Sequence, residues 1–478
     1  MHGPDDSNAA RVRPLGHADK RAIVLAILLP MFLGALDITI VATALASIAT
    51  GLNDYANISW VVTIALLAAT VATPLYGKLS DIHGRRKMML IAIGVYLVGS
   101  LGCALAPNLL MLVIARAVQG LGSGGSLPLA QIIIAESTTP VERPRYQGYT
   151  STMFMVATIM GPVLGGFLSE YVDWRAIFWI NIPLGLAAFI ISYIVLRRLP
   201  RHERPHDLDL PGALLMVCAG LSLMLALTWA SKQLGWFAPQ TLALFGASAV
   251  LWALFAWRMM RAPEPFVSLK ILGNRTVFTS TGCSFFGVGT VIGLTILVPL
   301  YLQLAHGLSG SISGLAVIAL QSGVTLSSII STWIIVRIRH YMRVPLAFAC
   351  VAICGLTVLV WEPVDWPLWF ILTVLTMVGI GLGPLFPMTV ITIQNVIPPR
   401  QMGIATGVAG FFRTLGGTFL VAVFGAILLS GTQADGVVTD PHVFRMMFLA
   451  AIASTTLATL FLLGIEEKPW RTEDIVPD

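Results

Sequence analysis

The chain has 478 residues, 56% hydrophobic and only 11% charged, with a net charge of +6 and a mean hydropathy of +0.85. No soluble fold buries that much apolar surface, so the class read from composition is an all-α polytopic membrane protein. The positive charge does not point to nucleic acid, because the basic residues sit in short segments between apolar runs, where they set topology. All five cysteines (Cys103, Cys218, Cys283, Cys350, Cys354) fall inside those runs, which argues against a disulfide scaffold or a zinc site.

Met1 to Lys20 is polar and has no apolar region of its own, so no cleavable signal peptide is expected ahead of the first span. Runs long enough to cross a hydrocarbon core of roughly 30 Å follow at about 22–50, 58–79, 88–106, 108–135, 147–169, 175–196, 210–230, 238–258, 276–304, 311–336, 345–362, 366–395, 403–430 and 443–464, here spans 1 to 14. Placing both termini in the cytoplasm puts the 29 lysines and arginines on the inner side, except Arg175, Lys232 and Arg445 outside and Arg116 and Arg413 within spans. The reverse topology inverts that bias.

Span 1 carries Asp37, the only one of the 23 carboxylates deep in a span. A lone intramembrane acid costs about 2.5 to 3.5 kcal/mol on insertion scales and marks an ion or proton path. Burial favours the neutral form of a carboxylic acid, which suits such a group to loading a proton. A capping or packing role is the plainer alternative.

Between spans 2 and 3 the stretch Gly77-Lys78-Leu79-Ser80-Asp81-Ile82-His83-Gly84-Arg85-Arg86-Lys87 reads as a cytoplasmic loop. Gly77 and Gly84 permit a tight turn. Asp81 can sit against a helix N-terminus or an arginine, and Arg85 and Arg86 can reach helix C-termini or lipid phosphates, so the loop is expected to act as a cytoplasmic gate. A plain positive-inside tether would explain the basic residues but not the spacing of Gly77, Asp81 and Gly84.

Arg116 in span 4 lies at a depth comparable with Asp37, on a helix running the other way, which makes the two candidate partners for proton coupling. A buried structural pair is the alternative. The run from Gly120 to Gly125 formally matches G-x-G-x-x-G, but no strand precedes it, and small residues here let helices approach closely. In span 5, Gly161, Pro162, Gly165 and Gly166 give a bendable, flat-faced helix. Arg197 to Asp209 reads as a polar cytoplasmic linker.

An internal repeat follows at one constant offset: Gly120, Gly122, Gly124, Pro128, Pro140 and Gly148 recur as Gly379, Gly381, Gly383, Pro387, Pro399 and Gly407. Both copies run from the fourth into the fifth span of their half in the same direction, a parallel repeat of six spans. Spans 7 and 8 are left over as an inserted pair. The halves are not equivalent, since Asp81 maps to His340, Arg116 to Leu375, and span 9 has no acid. Proton chemistry is therefore expected in the N-terminal half. Phe154, Phe285, Phe286, Gln321, Phe386, Gln394 and Arg413 are candidates for a cavity wall. Arg413 itself is expected to serve structure or gating by reaching back to the cytoplasmic surface.

Several of these stretches resemble the fourteen-span drug:proton antiporter branch of the major facilitator superfamily. The loop from Gly77 is similar to its G-x-L-A-D-x-x-G-R-R/K signature, departing at Ser80 and Ile82. Leu36 to Val41 is similar to L-D-x-T-I-V, Arg116 to Gly120 to R-x-x-Q-G, and Gly161 to Gly166 to the exporter motif G-P-x-x-G-G. The segment Phe411 to Gly417 around Arg413 is similar to one common in that branch, and the likeness covers about residues 20–465.

The resemblance implies a major facilitator fold: a tail over 1–21, a six-helix bundle over 22–197, a linker with two inserted spans over 198–275, a second bundle over 276–465, and a tail over 466–478. It implies a proton-coupled antiporter exporting amphipathic, cationic or lipophilic compounds by alternating access, with coupling through Asp37 and Arg116. Small-molecule substrate, protons and membrane lipids are the expected partners of a monomer in a bacterial cytoplasmic membrane, with no cofactor, metal or nucleic acid. An enzyme is not expected, because no nucleophile and base pair stands out. The rival readings are a proton-coupled transporter of a lipid, a siderophore or a metabolite, and a membrane sensor that no longer transports.

Overall fold

A computed structural model of the chain describes residues 16–54, 57–58, 60–139, 142–199, 209–232, 237–262, 271, 273–308, 310–335, 337–338, 341–361, 366–398, 401–430 and 442–467. Among these residues fourteen helices are long and apolar enough to cross a membrane, at the positions read from hydropathy. In the first half these are span 1 (His17–Leu52), span 2 (Trp60–His83), span 3 (Arg85–Ala104), span 4 (Leu109–Ser137), span 5 (Arg143–Tyr171) and span 6 (Ala176–Trp179 followed by Asn181–Val195). Spans 7 (Leu210–Lys232) and 8 (Pro239–Arg261) come next. The second half holds span 9 (Arg275–His306), span 10 (Gly310–Ile335), span 11 (Arg343–Trp361), span 12 (Leu368–Leu382 followed by Leu385–Val396), span 13 (Met402–Ser430) and span 14 (His442–Leu463).

The stretch expected as a loop from Gly77 to Lys87 is almost wholly helical. Gly77 to His83 are the last turns of span 2, Arg85 opens span 3, and Gly84 alone is non-helical. Its φ of 86° lies in the region that glycine adopts without steric cost, so Gly84 makes the turn and Gly77 does not. Polar residues are compatible with a helix that runs past the hydrocarbon core, which is why hydropathy placed the end of span 2 too early. Span 12 breaks at Pro384, whose ring has no N–H to donate and crowds the preceding turn.

Apolar side chains gain little by leaving lipid for one another, so small residues and van der Waals contact decide which helices meet. Span 4 packs between spans 2 and 3, and span 12 between spans 10 and 11. The repeated glycines make this possible: Gly120 and Gly124 lie on the span 2 backbone at Ala65 and Ala69, and Gly122 on span 3 at Tyr96. Gly379 and Gly383 lie likewise on span 10 at Leu320 and Val324, and Gly381 on span 11 at Ala352. Spans 7 and 8 pair with each other, and span 7 rests on spans 13 and 2. Asp209 caps span 7 through the Gly212 N–H (3.1 Å) and pairs with Arg258 of span 8 (3.1 Å).

Candidate functional site

Asp37 near the middle of span 1 meets Arg116 in the first third of span 4, at 4% and 1% exposure. The Arg116 guanidinium donates to Asp37 Oδ2 (2.6 Å), to Gln119 Oε1 (2.6 Å) and, through Nε, to the Val61 carbonyl (3.0 Å). Gln119 closes the cluster, its Nε2 donating to Asp37 Oδ1 and to Ser100 Oγ, both at 2.9 Å. A buried ion pair offsets its desolvation only when the remaining lone pairs and protons are also satisfied, and here neighbours from spans 2, 3 and 4 do so. Protonating the carboxylate would remove the counter-charge of Arg116, so this cluster has a physical reason to rearrange when a proton binds. Ser100 was not singled out from sequence, and Gln119 appeared there only as the Q of the R-x-x-Q-G stretch, three residues after Arg116 on the same helix face, with no role given.

The helix-5 glycines bring span 5 onto this part of span 1. Gly161 lies against the Thr39 side chain and Gly165 against Thr43 Oγ1 and the Ile40 carbonyl, so neither position has room for a Cβ. Thr39 Oγ1 donates across the seam to the Ala157 carbonyl (3.2 Å). Pro162 is exposed, and Gly166 has open space where a Cβ would stand. Gly161→Ala is therefore expected to cost about 1 to 3 kcal/mol by overpacking, lowering the unfolding temperature of the purified protein and slowing transport, whereas Gly166→Ala should leave both unchanged. Equal unfolding temperatures for the two variants would refute this account of the seam.

Around the Gly84 turn the two halves of the chain join. Asp81 Oδ1 accepts from the Gly403 N–H (3.2 Å) and Oδ2 from the Ile404 N–H (3.0 Å), at the first turn of span 13. An acid at a helix N-terminus satisfies orphan donors and meets the positive end of the helix dipole. Arg85 holds Asp81 (2.6 Å) and Glu136 of span 4 (2.7 Å) together and donates to Ser80 Oγ (3.0 Å). Gly77 faces the Gly403 carbonyl so closely that a Cβ would collide with it. Arg86 instead reaches span 6, lying 4.9 Å from the Tyr193 ring centroid. Two further contacts close this end: Arg143 donates to the Gln394 carbonyl (3.2 Å) and Gln394 Nε2 to the Gln131 carbonyl (3.1 Å). At the same end Lys20 pairs with Glu142 at 2.8 Å. Partial burial pushes the Glu142 carboxyl up, but Lys20 and the Thr139 N–H outweigh it and hold the group below its ordinary range.

Beyond this closed end, spans 4, 9, 12 and 13 line a small, partly open pocket, with Gln131, Ser284, Thr389, Thr406 and Arg413 on its wall. Of the seven residues expected to line a cavity, Arg413 does so, with its guanidinium carbon 4.9 Å from the Phe386 ring centroid. The expectation that Arg413 reaches back to surface carbonyls is corrected, since among the described residues no hydrogen-bond acceptor meets it. Gln394 is 2% exposed and belongs to the closed end. Phe286 stacks on Phe461 of span 14 (5.9 Å, 18°), and Phe285 packs on Phe286 and on Phe419 of span 13, so both serve helix packing. Phe154 packs against the apolar cluster built by spans 1 to 6, and Gln321 is half-buried on span 10. Gln131, Ser284, Thr389 and Thr406 were missed because isolated polar residues in an apolar helix more often bond their own backbone, as Thr389 does with the Phe386 carbonyl (3.0 Å).

The family model described as Major Facilitator Superfamily matches residues 27–421, most of the chain. The chain belongs to the major facilitator superfamily. Members of this family are transporters and not enzymes. Among curated relatives it is 29% identical to the multidrug transporter protein MdtP of Bacillus subtilis (93% of this chain, 82% of that one). It is 31% identical to multidrug resistance protein 3 of the same organism (86% and 80%). The efflux pump FUS6 of Gibberella moniliformis is 30% identical (85% and 73%). Among solved structures, the proton:xylose symporter XylE superposes with a TM-score of 0.66 at 15% identity (93% and 95%). A bacterial homologue of ferroportin in an outward-facing state gives 0.66 at 13% identity (93% and 98%). These two likenesses show the fold. The protein is thus an integral membrane transporter of small molecules with relatives in drug efflux.

Proposed function

We propose that this transporter is a proton-coupled exporter of amphipathic compounds, working as an antiporter by rocking of the bundles 22–197 and 276–465. The observation that carries the reading is the Asp37, Arg116 and Gln119 cluster, a closed charge network buried between spans 1 and 4 beside the close-packed seam of spans 1 and 5. The multidrug and efflux relatives support the direction of transport. Basic residues around the Gly84 turn support a cytoplasmic location for that end, in a bacterial inner membrane with both termini inside. On that orientation the contacts of Asp81 with span 13 hold the inner side closed. One proton entering down 100 mV yields about 2.3 kcal/mol, enough for roughly a fifty-fold gradient of a neutral solute.

A cationic cargo has little to hold it. No Asp or Glu lines the central space among the described residues, and Asp37 is occupied by Arg116 and Gln119. The test is substrate-induced proton release from purified protein in weakly buffered detergent, across a panel of amphipathic anions, neutral compounds and cations. Release by at least one class, abolished in Asp37→Asn, is the expected result. Release that persists unchanged in Asp37→Asn would remove this cluster from the mechanism.

A further inference from the structure

Arg413 differs from Arg116 in one respect that matters for ligands. Arg116 has an acid, an amide and a carbonyl as partners. Arg413, among the described residues, has no ion pair and no hydrogen bond, and it faces the pocket between spans 4, 9, 12 and 13 with the Phe386 ring beneath it. Arg413 is half-buried, and an arginine stays charged under all physiological conditions, so its partly desolvated charge favours an anion beside it. Two further donors on the same wall are also idle: Gln131 Nε2 and Thr406 Oγ1 are buried without partners. The Gln131 amide is oriented by Gln147, whose Nε2 donates to Gln131 Oε1, which leaves the Gln131 N–H pair free to donate elsewhere. The rest of the wall carries Ser284 and Thr389 and the apolar side chains of Leu127, Val390 and Ile393.

We propose that Arg413, with Gln131 and Thr406, forms the binding site for the anionic group of an amphipathic organic acid, and that such acids are a cargo class of this transporter. A planar guanidinium offers two parallel N–H groups to a carboxylate or sulfonate, and the amide and hydroxyl donors complete its hydration shell. The apolar residues take the body of the molecule. The site joins residues of span 4 to residues of span 13, so an anion held there touches both halves. The cargo assignment rests on the exporter reading above, but the binding site does not.

The test is equilibrium dialysis of the full-length protein in nanodiscs, with empty nanodiscs subtracted, against three probes of one shape: 1-naphthylacetate, the neutral 1-naphthylacetamide and the cationic 1-naphthylethylamine. A charge-assisted hydrogen-bond set predicts that the acid binds about ten- to a hundred-fold more tightly than the amide, with the amine weakest. Arg413→Gln should erase that preference while keeping the amide's affinity, and Arg413→Lys should keep part of it. Wild-type protein that binds all three alike, or none, overturns the proposal, as does a preference that survives in Arg413→Gln. If Arg413→Gln fails to bind the amide, the lysine variant decides, with retained preference supporting the site and lost preference overturning it. Dialysis needs no proton gradient, so a failure of proton release with binding intact would remove the antiport reading and leave the anion site standing.

Discussion

Asp37→Asn is expected to abolish uphill transport while leaving downhill equilibration of substrate in place. In proteoliposomes held at 100 mV the gradient of a neutral substrate should fall from roughly fifty-fold to about one, because the amide cannot take up and release the proton that carries the driving energy. Asparagine keeps the shape of the side chain but leaves the Arg116 charge without its partner at 1% exposure. Removing one member of a buried pair typically costs 3 to 5 kcal/mol, so a loss of stability accompanies the loss of coupling. The double variant Asp37→Asn/Arg116→Gln separates the two effects. With neither charge left to desolvate it should recover much of the stability and remain uncoupled. A single variant that sustains the wild-type gradient would rule out Asp37 as the proton carrier.

Asp81→Ala is expected to open the end that this structure shows closed. The variant loses the acceptors for the Gly403 and Ile404 N–H groups and the ion pair to Arg85. A capping acid is worth about 0.5 to 2 kcal/mol, and a loss of one or two kcal/mol from one state alone shifts a two-state equilibrium by about five- to thirty-fold. Ile404, 4% exposed at the first turn of span 13, reports the change when replaced by cysteine in a chain whose exposed Cys350 and Cys354 are serine. Its labelling rate by a membrane-impermeant maleimide applied from the Gly84 side should rise by that factor, with Asp81→Asn intermediate. Labelling that stays at the parent rate in a folded Asp81→Ala protein would leave the Gly84 region as a topology signal alone.

Much of the architecture was legible before any coordinates. A bilayer forces every spanning segment to be long, apolar and helical, which is why fourteen hydropathy runs became fourteen helices. Close helix contact demands small residues at fixed intervals, so the glycine pattern of spans 4 and 12 carried over directly to their packing on spans 2, 3, 10 and 11. Asp37 and Arg116 stood out because a charge in lipid is expensive, and the structure places them 2.6 Å apart. Gln131 and Thr406 did not stand out, because a neutral polar side chain can bond within its own helix and carries no sign of what it faces.

The sequence alone therefore determined the membrane class, the number and order of the spans, the repeat and the identity of the intramembrane charges, because each is dictated by local transfer energies or local spacing. Only the tertiary structure decided that Gly77 to His83 stay helical, that Asp81 caps a helix more than three hundred residues later in the chain, and that Arg116 is paired while Arg413 is not. Whether a buried charge has a partner is a property of what the fold brings beside it, and no pattern along one helix encodes that.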